Sequence, residues 1–153
     1  MNQKGQKIHT RKIDIAIYEG SSDSVIVEGV LKDDRLIESH HISGKVIPPS
    51  TFHHMIIRME VKAPQLVIED IEVESLSLPH MICMEALKCL EPVKGWPIVS
   101  GFTEKLKTLA GGNRGCKQLA ILLSAMAPAA VVGVFSRVMQ KPLDPEVSIT
   151  YAL

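Results

Sequence analysis

The segment MIIRMEVK, residues 55–62, is the stretch of sequence that decides the fold. Its odd-numbered residues are all apolar, whereas its even-numbered residues include Arg58, Glu60 and Lys62. A period of two places alternate side chains on opposite faces of a strand. The segment therefore predicts a strand that is buried on one face and exposed on the other.

Three further strands are predicted around this one. The first alternates at Ile13, Ile15 and Ile17, and the turn at residues 20–24 joins it to a second strand as a hairpin. The second strand shows one apolar face at Val25, Val27 and Leu31, with Gly29 at a point where a bulge or a close approach is expected. The fourth covers residues 66–74. Residues 32–52 predict a long loop that can hold a short edge strand.

From Pro79 onward the period becomes helical. Four helices are predicted: one beginning at Pro79 with a stripe of Cys83, Leu87 and Leu90; one containing Phe102, Leu106, Leu109 and Ala110 and ending at Gly111; one over residues 114–127; and one opened by Pro128 that runs to about residue 140. Strands followed by helices are typical of an α+β fold. We expect a single domain over residues 1–153, with a core at about residues 8–140 and a tail or edge strand at 141–153. Its antiparallel sheet of about four strands precedes about four helices packed on one face.

Composition excludes some classes of function. Lys and Arg number 17, as do Asp and Glu, and the only aromatics are one Trp, two Tyr and three Phe. A neutral chain with few stacking rings argues against nucleic-acid binding. Three cysteines are too few for a disulfide framework and predict reduced thiols in a cytoplasmic protein.

The segment from Gln118 to Ser136 has no charged residue. This meets the minimum length for a membrane span. Ser124, Pro128 and Gly133 interrupt it, so we expect a buried helix pair and no membrane partner. The same surface is a candidate for homo-oligomer formation.

Residues 111–123, GGNRGCKQLAILL, are the strongest candidate for a site. Asn113 can cap a helix whose first turn holds Cys116, and the helix dipole there favours a thiolate. The backbone N–H groups of Asn113, Arg114 and Gly115 are a candidate anion site. A free cysteine in such a place is as often a small buried hydrophobe.

The histidines and remaining cysteines add weaker candidates. On its parity, His53 points with Met55 toward the apolar face, and His54 points outward; His9 and His80 are weaker. Cys83 and Cys89 lie about 240° apart on a helix, so Cys89 is expected to be structural. Because soft metals take thiolate and imidazole ligands, His53, Cys83 and Cys116 could together hold zinc or an iron–sulfur cluster.

Common catalytic signatures are absent from the sequence, which has no GxSxG, no P-loop and no GxGxxG before a helix. The acidic stripe of Asp70, Glu72 and Glu74 could bind a hard cation, although a solvated outer face is the more ordinary interpretation.

Several short motifs occur in an order that resembles a bacterial family of domains of unknown function. They are His9-Thr10-Arg11, Glu28-Gly29, His53-x-Met55, Pro79-x-x-x-Cys83, Gly95, Gly101-Phe102-Thr103 and Gly111-Gly112-x-x-Gly115-Cys116-x-x-Leu119. The resemblance covers residues 9 to 135 and implies a class, not an activity. Members tend to have an acid where this chain has His54, and Thr-His where it has Lys117-Gln118.

The order of elements is also similar to that of iron–sulfur scaffold and sulfur-acceptor proteins. Cys83 and Cys116 take similar places, with His53 near a further ligand position, whereas Ile82 replaces the usual flanking glycine.

These observations favour a cytoplasmic binding or carrier module with a thiol and imidazole site. Two alternatives stay open. One is an enzyme with Cys116 as nucleophile and His53 as base. The other is a structural protein that oligomerises through residues 118–136.

Overall fold

A computed structural model describes residues 3–21, 23–77, 87–111 and 115–140. Their elements are strands β1 (His9–Glu19), β2 (Ser24–Arg35), β3 (Ser39–His40), β4 (Val46–Ile47), β5 (Ser50–Lys62) and β6 (Val67–Ser77), a 3-10 helix (Leu87–Val93), and helices α1 (Phe102–Ala110) and α2 (Lys117–Val138). Strands precede helices, which confirms the predicted α+β class and the hairpin of the first two strands.

The main sheet is antiparallel, with the strand order β1-β2-β5-β6. The strand predicted from residues 55–62 forms most of β5 and lies inside the sheet, between β2 and β6. In this position it pairs along both edges, so its alternating pattern is carried in register across its neighbours. Val27 of β2, for example, lies opposite Met59.

One face of the sheet is buried and carries the core. The fully buried side chains of the central strands include Val27, Leu31, Met55, Ile57 and Val61. Helix α2 contacts β1, β2 and β5 from this side. Its own buried face includes Leu119, Leu122, Leu123 and Met126. Burying each such leucine stabilises the fold by roughly 1.5–3 kcal/mol, so this contact accounts for much of the core.

Residues 117–138 form a single helix, so the prediction of two helices meeting at Pro128 is wrong. Proline in a helix interior removes one backbone hydrogen bond and costs about 3 kcal/mol. Ala127 and Ala130 beside it are 5% and 0% exposed, respectively, whereas Pro128 itself faces solvent. Packing of the buried face therefore outweighs the local cost of the proline.

The described residues contain three helices where about four were predicted. Helix α1 matches the predicted second helix, and Gly111 follows it as expected. Leu87 and Leu90 lie in a 3-10 helix, and the predicted start at Pro79 with Cys83 lies outside the described residues, as does the predicted tail at 141–153.

The prediction of a loop over residues 32–52 is wrong at both ends. Strand β2 continues to Arg35 and β5 already begins at Ser50. Between them, β3 and β4 pair as a small separate hairpin, which agrees with the expectation of a short strand. Charged residues such as Asp33 and Asp34 interrupt the alternation of apolar residues, so the apolar pattern does not show that the strand continues.

Gly29 marks a close approach, as the sequence predicted. A Cβ atom added there would lie 2.4 Å from Sδ of Met126 and 3.1 Å from Cδ1 of Leu122. Because Gly29 has no side chain, α2 can pack closely against β2.

We expect Gly29→Ala to lower the free energy of unfolding by about 1–3 kcal/mol, because the added methyl group overpacks the contact with Met126. Urea denaturation followed by circular dichroism measures it. Gly5→Ala is the matched control, since nothing lies within 4 Å of that position. In a Met126→Ala background the same substitution should cost less; an equal cost in both backgrounds would contradict the assigned contact.

Candidate functional site

A buried carboxylate lies where the core face of the sheet reaches its end. Asp33 has the same parity on β2 as Val27 and Leu31, so its side chain points to the core side, and that side chain is 0% exposed. A buried charge is costly unless it is paired and hydrogen-bonded. Asp33 is the only charged side chain among the buried residues that the structure describes, so its partners define the candidate site.

Neighbouring strands on both sides of β2 supply those partners. Arg11 of β1 lies directly opposite Asp33, and its Nε and Nη2 each donate to one carboxylate oxygen at 2.7 Å. His53 of β5 lies opposite on the other side, with Nδ1 2.8 Å from Oδ2. The antiparallel register alone brings three polar side chains from three strands into one row.

The electrostatics of this row favour ionised Asp33. Hydrogen bonds from the Arg11 guanidinium hold the pKa of Asp33 below its ordinary value, against the opposing effect of burial, and the His53 hydrogen bond acts in the same direction as Arg11. In turn, Asp33 raises the pKa of Arg11. Since an ionised carboxylate only accepts, the His53 proton toward it sits on Nδ1, and Nε2 has no hydrogen-bond partner among the residues that the structure describes.

A β-bulge shapes the open side of the site. Asp33 pairs with His53 but Asp34 pairs with Thr51, so Phe52 is the extra residue on β5. Its ring lies 4.8 Å from the His53 ring and 5.6 Å from the ring of His9. Bulges of this kind redirect side chains next to functional sites. We call the five residues His9, Arg11, Asp33, Phe52 and His53 the Asp33 cluster.

The Asp33 cluster is open on one side. Side chains of His9 and Arg11 are 41% and 35% exposed, against 14% for His53. Nε2 of His9 is 3.7 Å from the carboxylate, which is too far for a direct hydrogen bond. Solvent or a ligand can therefore reach the imidazole and guanidinium groups while the carboxylate stays covered.

Sequence reasoning found part of this cluster. The parity of His53 is confirmed, and His9 was a weaker candidate. Arg11 and Asp33 were missed. Asp33 has the same parity as the buried residues Val27 and Leu31 of β2, and this was the signal available in the sequence. It was not used because residues 32–52 were interpreted as a loop.

Of the thiol candidates, Cys89 lies in the 3-10 helix and Cys116 directly precedes α2. Cys116 is the N-cap of α2 and not a residue of its first turn as predicted, and its side chain makes no capping hydrogen bond. Cys89, expected to be structural, lies next to it. Burial raises the pKa of the Cys89 thiol, a hydrogen bond from the Cys116 backbone N–H partly opposes this, and the Cys116 charge adds to it.

The predicted ligand set of His53, Cys83 and Cys116 is only partly within the described residues. His53 hydrogen-bonds to Asp33, and no hydrogen bond there joins it to Cys116. Cys83 lies outside the described residues. Among those described, no group of three or more His, Cys, Asp or Glu side chains is placed to hold a metal ion.

The candidate anion site is only partly described. Asn113 and Arg114 lie outside the described residues. Gly115 has a structural explanation of its own, because a Cβ there would meet the carbonyl oxygen of Ala110 at 2.1 Å. Its small size lets the chain pass close to the end of α1.

The acidic stripe of β6 lies on the exposed side of the strand. Asp70 is paired with Lys94 at 2.6 Å, and Glu74 with Arg58 at 3.1 Å. Paired, exposed carboxylates of this kind match the solvated-face interpretation more closely than a cation site.

Comparison with known proteins identifies the family. A sequence model for the family described as "Protein of unknown function (DUF2889)" matches residues 9–132, so the chain belongs to that family. This confirms the resemblance to a family of domains of unknown function. No curated protein and no solved structure matches the chain. The matched range includes the whole Asp33 cluster, Cys89 and Cys116.

We expect Asp33→Asn to lower the free energy of unfolding by about 1.5–3 kcal/mol at neutral pH, because charge-assisted hydrogen bonds are lost. The pKa of Asp33 is lowered in the folded state, so its contribution is present above the pKa of the unfolded chain and is lost as pH falls through the folded value. The difference between wild type and variant should therefore shrink below about pH 4.

Urea denaturation at a series of pH values measures this difference. Asp14→Asn is the matched control, since Asp14 lies exposed on β1. If Asp33→Asn were as much less stable than the wild type at low pH as at neutral pH, the negative charge of Asp33 would not be the source of the stabilisation.

We expect the alkylation rate of Cys89 to rise with pH to a midpoint above that of an ordinary cysteine, because burial disfavours its thiolate. Peptide mapping by mass spectrometry after timed iodoacetamide treatment separates the three thiols. In urea the midpoint should return to the ordinary value, and an unchanged midpoint would exclude burial as the cause.

Proposed function

We propose that this chain is a binding module and that the Asp33 cluster binds a small acidic ligand, a carboxylate or a phosphate. The observation that supports this most directly is the buried Asp33 carboxylate, held by Arg11 on one side and by His53 on the other. This arrangement orients donors around a carboxylate that is itself out of reach.

The count of hydrogen-bond donors favours an acidic ligand. A guanidinium has five N–H donors, and Arg11 uses Nε and Nη2 on Asp33, so Nη1 is left for another acceptor. Nε2 of His53 and the ring of His9 add further donors when protonated. A planar fork with free donors is suited to carboxylate and phosphate oxygens.

The charge of the cluster points in the same direction. Arg11 and Asp33 cancel, so protonation of either His9 or His53 makes the group cationic. Because Asp33 accepts the Nδ1 hydrogen bond of His53, the ring is held with Nε2 on the side away from the carboxylate.

The thiol pair supports a second candidate function. Cys89 and Cys116 are half-buried neighbours on the helical side of the fold. A carrier or catalytic role for Cys116 would use the neighbouring Cys89 as a reactive partner. If Cys116→Ser abolished ligand binding in a folded protein, the thiol role would be favoured. If the variant still bound the ligand, the Asp33 cluster would be favoured.

We expect inorganic phosphate and acetate to shift the side-chain NMR signals of Arg11 and His53 in a saturable way. His53→Gln should raise the dissociation constant about tenfold, the loss expected for one charge-assisted hydrogen bond. Arg11 is left intact in this test because its removal would leave Asp33 buried without its main partner.

His54→Gln is the matched control, since His54 is the next residue on β5 and has the opposite parity. It should bind the probes as the wild type does. If neither probe shifts these signals, or if both variants weaken binding equally, the Asp33 cluster is not the site.

A further inference from the structure

Helix α2 has a second apolar face, opposite the one that packs on the sheet. The outward residues at regular spacing are Ile121, Ala125, Pro128, Val132, Phe135 and Met139. Of these, Ile121 is 43% exposed, Val132 62%, and Phe135 and Met139 48% each. We call these six residues the outer stripe.

The spacing of the outer stripe is that of a helix that faces another helix. Its steps are four, three, four, three and four residues, which is the a/d pattern of a heptad. An outward face of a helix in a globular fold ordinarily carries charged residues. Here no residue from Gln118 to Ser136 is charged, so the stripe has the composition of an interface.

The order of the steps indicates what covers the stripe. They read the same in both directions, so two copies related by a two-fold axis can pair antiparallel with every position matched. Ile121 then lies opposite Met139 of the second copy, and Pro128 lies opposite Val132 of the second copy. We propose that the outer stripe binds a second copy of this chain in an antiparallel arrangement.

Charges at the ends of the stripe complement each other in this arrangement. Lys117 is exposed at the beginning of α2 and has no ion pair among the residues that the structure describes. At the other end, Glu19 is 62% exposed and accepts hydrogen bonds from Arg137 and Gln140. Antiparallel pairing brings Lys117 of one copy toward Glu19 of the other, and the helix dipoles also align favourably.

The size of the surface fits a modest, concentration-dependent dimer. Eighteen residues of helix rise about 27 Å, and one helix is about 10 Å wide. Strand β1 widens this area, because Ile13 and Ile17 beside α2 are 39% and 37% exposed. The helix stripe alone gives roughly 270 Å² per copy, and even with β1 the area stays below that of a standard interface, so we expect a weak dimer.

Sedimentation velocity of the full chain over a range of concentrations tests the proposal. We expect the wild type to dimerise, and Val132→Glu to raise the dissociation constant at least about tenfold, since it places a charge at the centre of the stripe. Val132→Gln gives a neutral second variant. Val99→Glu is the matched control, because Val99 is 57% exposed elsewhere, and it should dimerise as the wild type does.

A mixing experiment tests the antiparallel register. Ile121→Lys and Met139→Glu should each dimerise weakly alone. Mixed, they should recover dimers, because the new lysine and glutamate face each other only when the helices run in opposite directions. Parallel helices would place them at opposite ends of the stripe and give no recovery.

Three results would overturn the proposal. The wild type could stay monomeric at every concentration, or Val132→Glu and Val132→Gln, both shown to be folded by circular dichroism, could leave dimers intact. The third is binding to phosphatidylcholine vesicles in place of self-association, since α2 is long and apolar enough to cross a membrane and only 44% of its most apolar window is buried.

Discussion

The contact of α2 with one face of the antiparallel sheet is the interaction on which the rest of the structure depends. The sheet has a single buried face, and α2 contacts β1, β2 and β5 on that face. The contact is close because Gly29 leaves room for Met126. It also keeps α2 continuous through Pro128, which a helix without this packing would not tolerate.

The Asp33 cluster follows from the same alternation. Side chains of one parity on β2 point to the covered face, and that parity continues to Asp33. The carboxylate is therefore buried by its register and must be neutralised there. Arg11 and His53 occupy the facing positions on the two neighbouring strands, so the network is built from strand pairing and not from a loop.

Helix α2 has two apolar faces, one buried and one exposed. Its inner face completes the core, whereas its outer face carries apolar residues at heptad spacing without charge. A helix apolar all round is typical of one with packing partners on more than one side, and the proposed second copy would supply the outer one.

Much of the architecture could be predicted from sequence because it depends on local periodicity. Alternation at residues 55–62 and the parity of His53 needed no knowledge of neighbours, and α1 followed from its apolar spacing and Gly111. The continuity of α2 could not be predicted, since the proline is local but the packing that overrides it comes from the sheet. Nor could the partnership of Asp33 with Arg11 and His53 be predicted: which residues lie opposite each other is decided by strand order and register, and these are properties of the assembled sheet.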